Sequence, residues 1–161
     1  MDPRVAPLAE TLRINSRLFR NCLDGMTDAE ARERPSDTAN SVAFVAAHLA
    51  ESRFMLLKFL GAEHPNPLER YLGGRKGIED IKSWPSLEEI RAAWAEAGQL
   101  LDRHLAAMSA ADLDAPTRLG FPVETRTNLG ILAFLVGHDS YHVGQLALLR
   151  KQAGYPAMKY T

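Results

Sequence analysis

The stretch His138-Asp-Ser-Tyr-His142, inside the apolar run Leu129–Leu149, decides how this chain is read. Two histidines four residues apart stand one above the other on a single face of an α-helix. Ile131, Leu135, His138, His142, Gln145 and Leu149 recur in alternating steps of four and three, the spacing of a core-facing seam. Two imidazoles and an amide therefore occupy positions where Leu or Val is expected. Burying a polar group without a partner costs roughly 2–7 kcal/mol. The pattern asks for something that satisfies these groups, and a bound divalent metal would do so.

A second segment repeats the arrangement. Ser41, Val45, His48, Ser52, Met55 and Phe59 follow the same steps, with His48 in mid-seam. This segment begins at Asn40 or Ser41, either of which can N-cap, and runs to about Leu60 before Gly61. The His138 segment is capped by Thr127 or Asn128 and runs to about Gln152, stopped by Gly154 and Pro156. Two further helices are legible. One spans about Val5 to Leu23, with Leu8, Leu12, Phe19 and Cys22 on one stripe and Asp24-Gly25 at its end. The other opens with the capping box Ser86-Leu-Glu-Glu89 and buries Leu87, Ile90, Trp94, Ala97 and Leu101 on its way to about Met108.

No strand pattern competes. The connection after the first helix, with Pro35 and Asp37, reads as turn-rich. The stretch Gly61–Pro85 holds Pro65, Pro67, Gly73, Gly74 and Gly77 and is long for a connection in a compact domain. It predicts a crossover or a loop that covers a site. Asp114–Arg126, with Pro116, Gly120 and Pro122, is a second irregular connection. The expected fold is all-α: a four-helix bundle with a long crossover connection, rather than a plain up-and-down bundle.

Composition bounds the function. A chain of 161 residues with 46% hydrophobic content is expected to form one domain, 1–161, with a sizeable core. A formal net charge of −1 and no Lys/Arg block favour neither nucleic acid nor an anionic membrane as partner. No apolar stretch reaches the roughly 18 residues of a membrane span without a charge or a break. Met1-Asp2-Pro3-Arg4 lacks a signal-peptide core, so a cytoplasmic location is expected. The single cysteine, Cys22, excludes an intrachain disulfide and reads as a small buried apolar residue.

If the second and fourth helices are neighbours, His48 meets His138 and His142. Three imidazoles leave coordination positions open, as catalytic metal sites do; structural zinc sites are usually closed by four protein ligands. Imidazole suits zinc, nickel, iron and copper. An open site would lower the pKa of a bound water to roughly 7, or hold a thiol as thiolate. The competing reading is a structural one, in which the histidines bond one another and backbone groups. Gln145 either hydrogen-bonds a metal-bound water or substrate, or packs through its amide. Glu51, three residues after His48, either orients a ligand histidine or is a partly exposed helix glutamate.

Asp139 is rotated about 100° from His138 and is not expected to be a ligand. Tyr141 reads as a packing or interface residue. His104, turned outward by the stripe Leu101, Leu105 and Met108, and His64, in a Pro-rich loop, stay outside the ligand set. Trp84, Trp94, Tyr71 and Phe121 read as core or loop packing. Gly130, Gly137 and Gly144 recur every seven residues, which predicts close approach of another helix within the bundle or across a dimer.

The run His138-Asp-Ser-Tyr-His142-Val-Gly144-Gln145-Leu-Ala-Leu-Leu-Arg150 resembles the C-terminal His-x-x-x-His-x-Gly-Gln signature of the DinB/YfiT-like superfamily. Val45-Ala-Ala-His48-Leu-Ala-Glu51 resembles the helix-two motif of that superfamily, in which Leu follows the first ligand. The order of helices and the long second loop also match. The resemblance implies a four-helix bundle, a metal site usually holding nickel or zinc on His48, His138 and His142, and a homodimer. Members do not share one activity: some resemble S-transferases or isomerases that use low-molecular-weight thiols, and others are called metal-dependent hydrolases. The expectation is a metal-dependent enzyme in which a thiol or water attacks a small electrophilic substrate, with a low-molecular-weight thiol as cosubstrate. The alternatives are a metal-dependent hydrolase and a non-catalytic metal-binding or stress-response bundle.

Overall fold

The computed structural model describes residues 1–73, 77–117 and 123–160. Gly74, Gly120, Phe121 and Pro122, read above as loop residues, lie outside them. Among the described residues there is no strand, only an isolated bridge between Pro116 and Thr127. The four long helices are α1 (Ala6–Leu23), α3 (Val42–Phe59), α5 (Leu87–Ala107) and α7 (Asn128–Gln152). Three short ones lie in the connections: α2 (Asp28–Arg32), α4 (Glu69–Leu72) and α6 (Ala110–Asp114).

The helix starts follow from side chains that supply acceptors for otherwise unpaired backbone N–H groups. Ser41 accepts from the N–H of Phe44, and Thr127 from that of Gly130. Ser86 and Glu89 form the expected reciprocal box at the start of α5. Thr27–Glu30 and Ser109–Asp112 form two more at α2 and α6. Gly25, Gly61 and Gly154 follow the ends of α1, α3 and α7 with positive φ, a backbone that side chains resist.

The closest packings pair α1 with α5 and α7, and α3 with α5 and α7. The long 61–85 stretch thus joins adjacent helices and lays α4 against α3. Of the two loops expected to carry crossovers, 114–126 does so and 61–85 does not. Residues 24–41 and 108–127 connect helices that are not close neighbours, α1 to α3 and α5 to α7.

The core is continuous across the four helices. Phe19 stacks on Trp94 with ring centroids 4.1 Å apart, tying α1 to α5. Leu49, Leu56 and Leu57 of α3 and Ile131 and Leu132 of α7 are fully or almost fully buried. Each such side chain stabilises the fold by about 1.5–3 kcal/mol relative to exposure. α3 and α7 are apolar nearly all round, so their inner faces extend beyond the seams drawn from sequence. On α3, Ala46, Leu49, Ala50 and Arg53 point into the core, while His48, Met55 and Phe59 are only half-buried. On α7 the seam starts buried at Ile131 and Leu135 and emerges at His138, His142, Gln145 and Leu149. A strict seven-residue repeat drifts about 20° per heptad on a straight helix, which carries the histidines from the core to its edge.

The glycine repeat on α7 has two explanations. At Gly130 a Cβ would come within 2.0 Å of the Thr125 carbonyl oxygen, so the loop before α7 requires glycine there. Gly137 and Gly144 have nothing within 4 Å of an added Cβ and face outward. Among the described residues, therefore, no helix approaches them, and that part of the expectation is corrected.

Candidate metal centre

His48 reaches the α3–α7 interface from one side, and His138 and His142 from the other. One ring nitrogen of each lies within 4.8 Å of the others. Nε2 of His138 is 3.3 Å from Nε2 of His48 and 3.1 Å from Nε2 of His142. Two imidazole donors about 2.0–2.1 Å from a shared ion, at octahedral to tetrahedral angles, lie about 2.9–3.4 Å apart. Two of the three spacings thus match those of ligands on one divalent ion, and the third lies within 4.8 Å, so the residues could hold such an ion.

The tautomers agree. Gln145 Oε1 accepts a hydrogen bond from Nδ1 of His142 at 2.6 Å, which leaves the His142 Nε2 lone pair facing its two neighbours. The Gln145 amide nitrogen donates in turn to the Tyr141 hydroxyl at 3.0 Å. Gln145 therefore holds the ring of His142, one of the three histidines that could bind a metal. Nδ1 of His138 is buried and makes no hydrogen bond among the described residues. An unmet buried donor or acceptor costs about 1–3 kcal/mol, so this ring is held against its own preference.

Burial, and then the neighbouring imidazoles, push the pKa of His48 down to about 4. The same causes, with His142 as the neighbour, push His138 down to about 4. Both rings are therefore neutral near pH 7, the form that donates a lone pair to a metal. Glu51 is half-buried, three residues beyond His48. Burial, and then the like charge of Glu69 on α4, raise its carboxyl above the ordinary value. All three histidines of the cluster are half-buried.

The other candidates lie elsewhere. A ring nitrogen of His104 meets the Leu60 carbonyl oxygen at 2.9 Å, at the C-terminal end of α3. His64 is exposed. Cys22 is buried with its thiol 3.4 Å from Met158 Sδ, and burial pushes its pKa up to about 11. Tyr141 is 63% exposed.

One feature escaped the sequence reading. Asp139 is 2% exposed and bound to Arg53 of α3, also 2% exposed. Arg53 donates to Asp139 Oδ2 through Nε at 3.2 Å and Nη2 at 2.7 Å. It also donates to Ser16 Oγ at 2.7 Å and to the Leu12 carbonyl at 3.0 Å, both on α1. Its guanidinium lies 3.4 Å from the centroid of the Trp94 ring on α5. All four long helices meet at this one side chain. Burial raises the Asp139 carboxyl above its ordinary value, and Arg53 offsets only part of that rise. The signal was present: Asp139 is the only Asp, Glu, Lys or Arg between Asn128 and Leu149.

Among the described residues no helix is long and apolar enough to cross a membrane. A search of curated proteins finds no match. Among solved structures, the crystal structure of a conserved protein from Enterococcus faecalis is similar, with a TM-score of 0.74 at 17% identity. The match covers 92% of this chain and 96% of that one. At this identity the likeness speaks for the fold. The sequence profile of the DinB superfamily matches residues 11–146, a span that contains all three histidines. The chain belongs to the DinB superfamily.

Proposed function

We propose that this protein is a metal-dependent enzyme whose ion is held by His48, His138 and His142. The reaction is attack of a thiol or water on a small electrophilic molecule. The observation that carries the reading is the convergence of Nε2 nitrogens 3.1–3.3 Å apart at a half-buried position. Nickel or zinc suits an all-imidazole donor set. The ion would supply Lewis acidity that lowers the pKa of a thiol or water. Gln145 keeps His142 in the ligating tautomer. Glu51, half-buried three residues beyond His48, is the candidate to orient that histidine.

The same reading includes a single four-helix-bundle domain with crossover connections, a homodimeric assembly, a cytoplasmic location and a low-molecular-weight thiol as cosubstrate. Two assays test it. Metal analysis of protein purified without a histidine tag is expected to give one divalent ion per chain, lost in His138→Ala and His142→Ala. A panel of low-molecular-weight thiols is then expected to support metal-dependent conjugation to an electrophile. Ester or amide hydrolysis without thiol turnover would make the protein a hydrolase. Metal-free protein that was never exposed to chelator would defeat both.

A further inference from the structure

We propose that the buried Arg53–Asp139 pair is a positioning pair for the metal ligands: it fixes the rotation and axial register of α7 against α3, and so brings His138 and His142 to His48. This inference rests on the metal-binding reading above. Three observations carry it.

First, the pair spans the same two helices that carry the ligands. Asp139 directly follows His138 and lies three residues before His142. At about 100° per residue, a side chain held at 139 leaves 138 and 142 both on one side of it, roughly 100° and 60° away. Anchoring Asp139 toward Arg53 thus aims both histidines along the α3–α7 interface. A one-residue slip of α7 would rotate both out of reach of His48.

Second, the apolar contacts between these helices specify register weakly. α3 and α7 are apolar nearly all round, and Ala43, Ala46, Ala47 and Ala50 offer similar small surfaces along α3. The guanidinium is more selective. Its four hydrogen bonds go to Asp139, Ser16 and Leu12, all with fixed directions. Trp94 covers its face, and a Cβ at Gly98 would lie 3.3 Å from its Nη1. A displaced α7 would strand a buried charge, the situation in which polar groups are best attested to fix register.

Third, the ligand rings have little support of their own. His142 is held by Gln145, whereas the buried Nδ1 of His138 makes no hydrogen bond among the described residues. Its Nε2 meets the other two rings of the cluster, so the orientation of His138 depends on how the two helices that carry those rings are placed. Asp139 is the neighbouring residue through which α7 is fixed to α3.

The test compares wild type, the double variant Arg53→Met/Asp139→Leu, and the conservative variant Arg53→Lys. Metal-free protein of each is titrated with Co²⁺, read by its visible absorption. The double variant is apolar and of similar volume, so it is expected to keep wild-type helix content. Its Co²⁺ affinity is expected to fall by about 10–100-fold, the range seen when groups that orient ligands are lost. Arg53→Lys keeps the charge and is expected to recover part of that loss. A folded double variant that binds Co²⁺ as wild type does would overturn the inference and leave the metal-binding reading intact.

A metal-free measurement separates the two ideas. Spin labels at Lys58→Cys on α3 and Leu148→Cys on α7, in a Cys22→Ala background, report the register directly. The interlabel distances are expected to broaden or shift in the double variant. Unchanged distances would overturn the inference even if wild type bound no Co²⁺; that last result would by itself refute the metal-binding reading.

Discussion

Asp139→Leu removes the carboxylate but leaves its partner buried, and the structure allows the cost to be worked out. The Arg53 guanidinium is almost fully buried and loses two of its four hydrogen bonds. Breaking one side of such a pair costs about 3–5 kcal/mol, because a charge remains without compensation. For a chain of this size that corresponds to a melting temperature lower by roughly 6–20 °C. Arg53→Met strands the carboxylate instead and is expected to cost a similar amount. The double variant Arg53→Met/Asp139→Leu removes both charges. Ser16 Oγ already donates to the Leu12 carbonyl at 2.8 Å, so neither α1 group is left without a partner. The loss of the cation over the Trp94 ring is worth about 0.5–2 kcal/mol. The double variant should therefore lie within about 2 kcal/mol of wild type, far short of the sum of its parts. Urea unfolding followed by far-ultraviolet circular dichroism measures all three. Single variants costing under about 1 kcal/mol, or a double variant equal to their sum, would refute the claim that these charges are desolvated and mutually compensating.

Three further outcomes are expected. His138→Leu should abolish metal binding and, in chelator, raise the melting temperature by roughly 2–6 °C, since it removes a buried nitrogen without a partner; a lower melting temperature would contradict this. The pKa values of His48 and His138 are held at about 4, whereas imidazoles in the unfolded chain titrate near 6.5. Between these values the unfolded state takes up protons that the folded state refuses. Stability of the metal-free protein should be fully present above pH 6.5 and decline toward pH 4, a slope that denaturant titrations across pH should find reduced in His48→Leu/His138→Leu. Gly137→Ala and Gly144→Ala meet open space and should each stabilise the protein by about 0.5–1 kcal/mol, whereas Gly130→Ala should destabilise it because its methyl group would strike the Thr125 carbonyl. Calorimetry of the three variants checks both signs.

How much of this was legible depended on length and on partner. The four long helices were readable to within a few residues, since each carries several turns of apolar repeat and a capping side chain such as Ser41, Ser86 or Thr127. The short helices α2 and α6 were not, because five residues cannot display a period. Their capping boxes, Thr27–Glu30 and Ser109–Asp112, were the available signs. The histidine cluster was legible because one face of one helix carried two of its members. Arg53 and Asp139 were missed for the opposite reason. Asp139 stands out as the lone charge in its apolar run, but only the packing of α3 on α7 shows that Arg53 neutralises it. The edge position of the histidines was also hidden, since a seam drawn from sequence does not show how far the apolar surface extends on either side.

The Trp94 ring, with Phe19 stacked against it and Arg53 3.4 Å away, gives the protein an optical reporter at the centre of its fold. Indole emission responds to a charge held beside the ring. Any rearrangement that moves the guanidinium should therefore alter its colour or intensity. Trp84 is the only other tryptophan and is half-buried in the connection before α5, so Trp84→Phe would leave a single emitter. Stopped-flow fluorescence of that variant could then follow in real time how a metal arriving at the edge of the fold is felt at its middle.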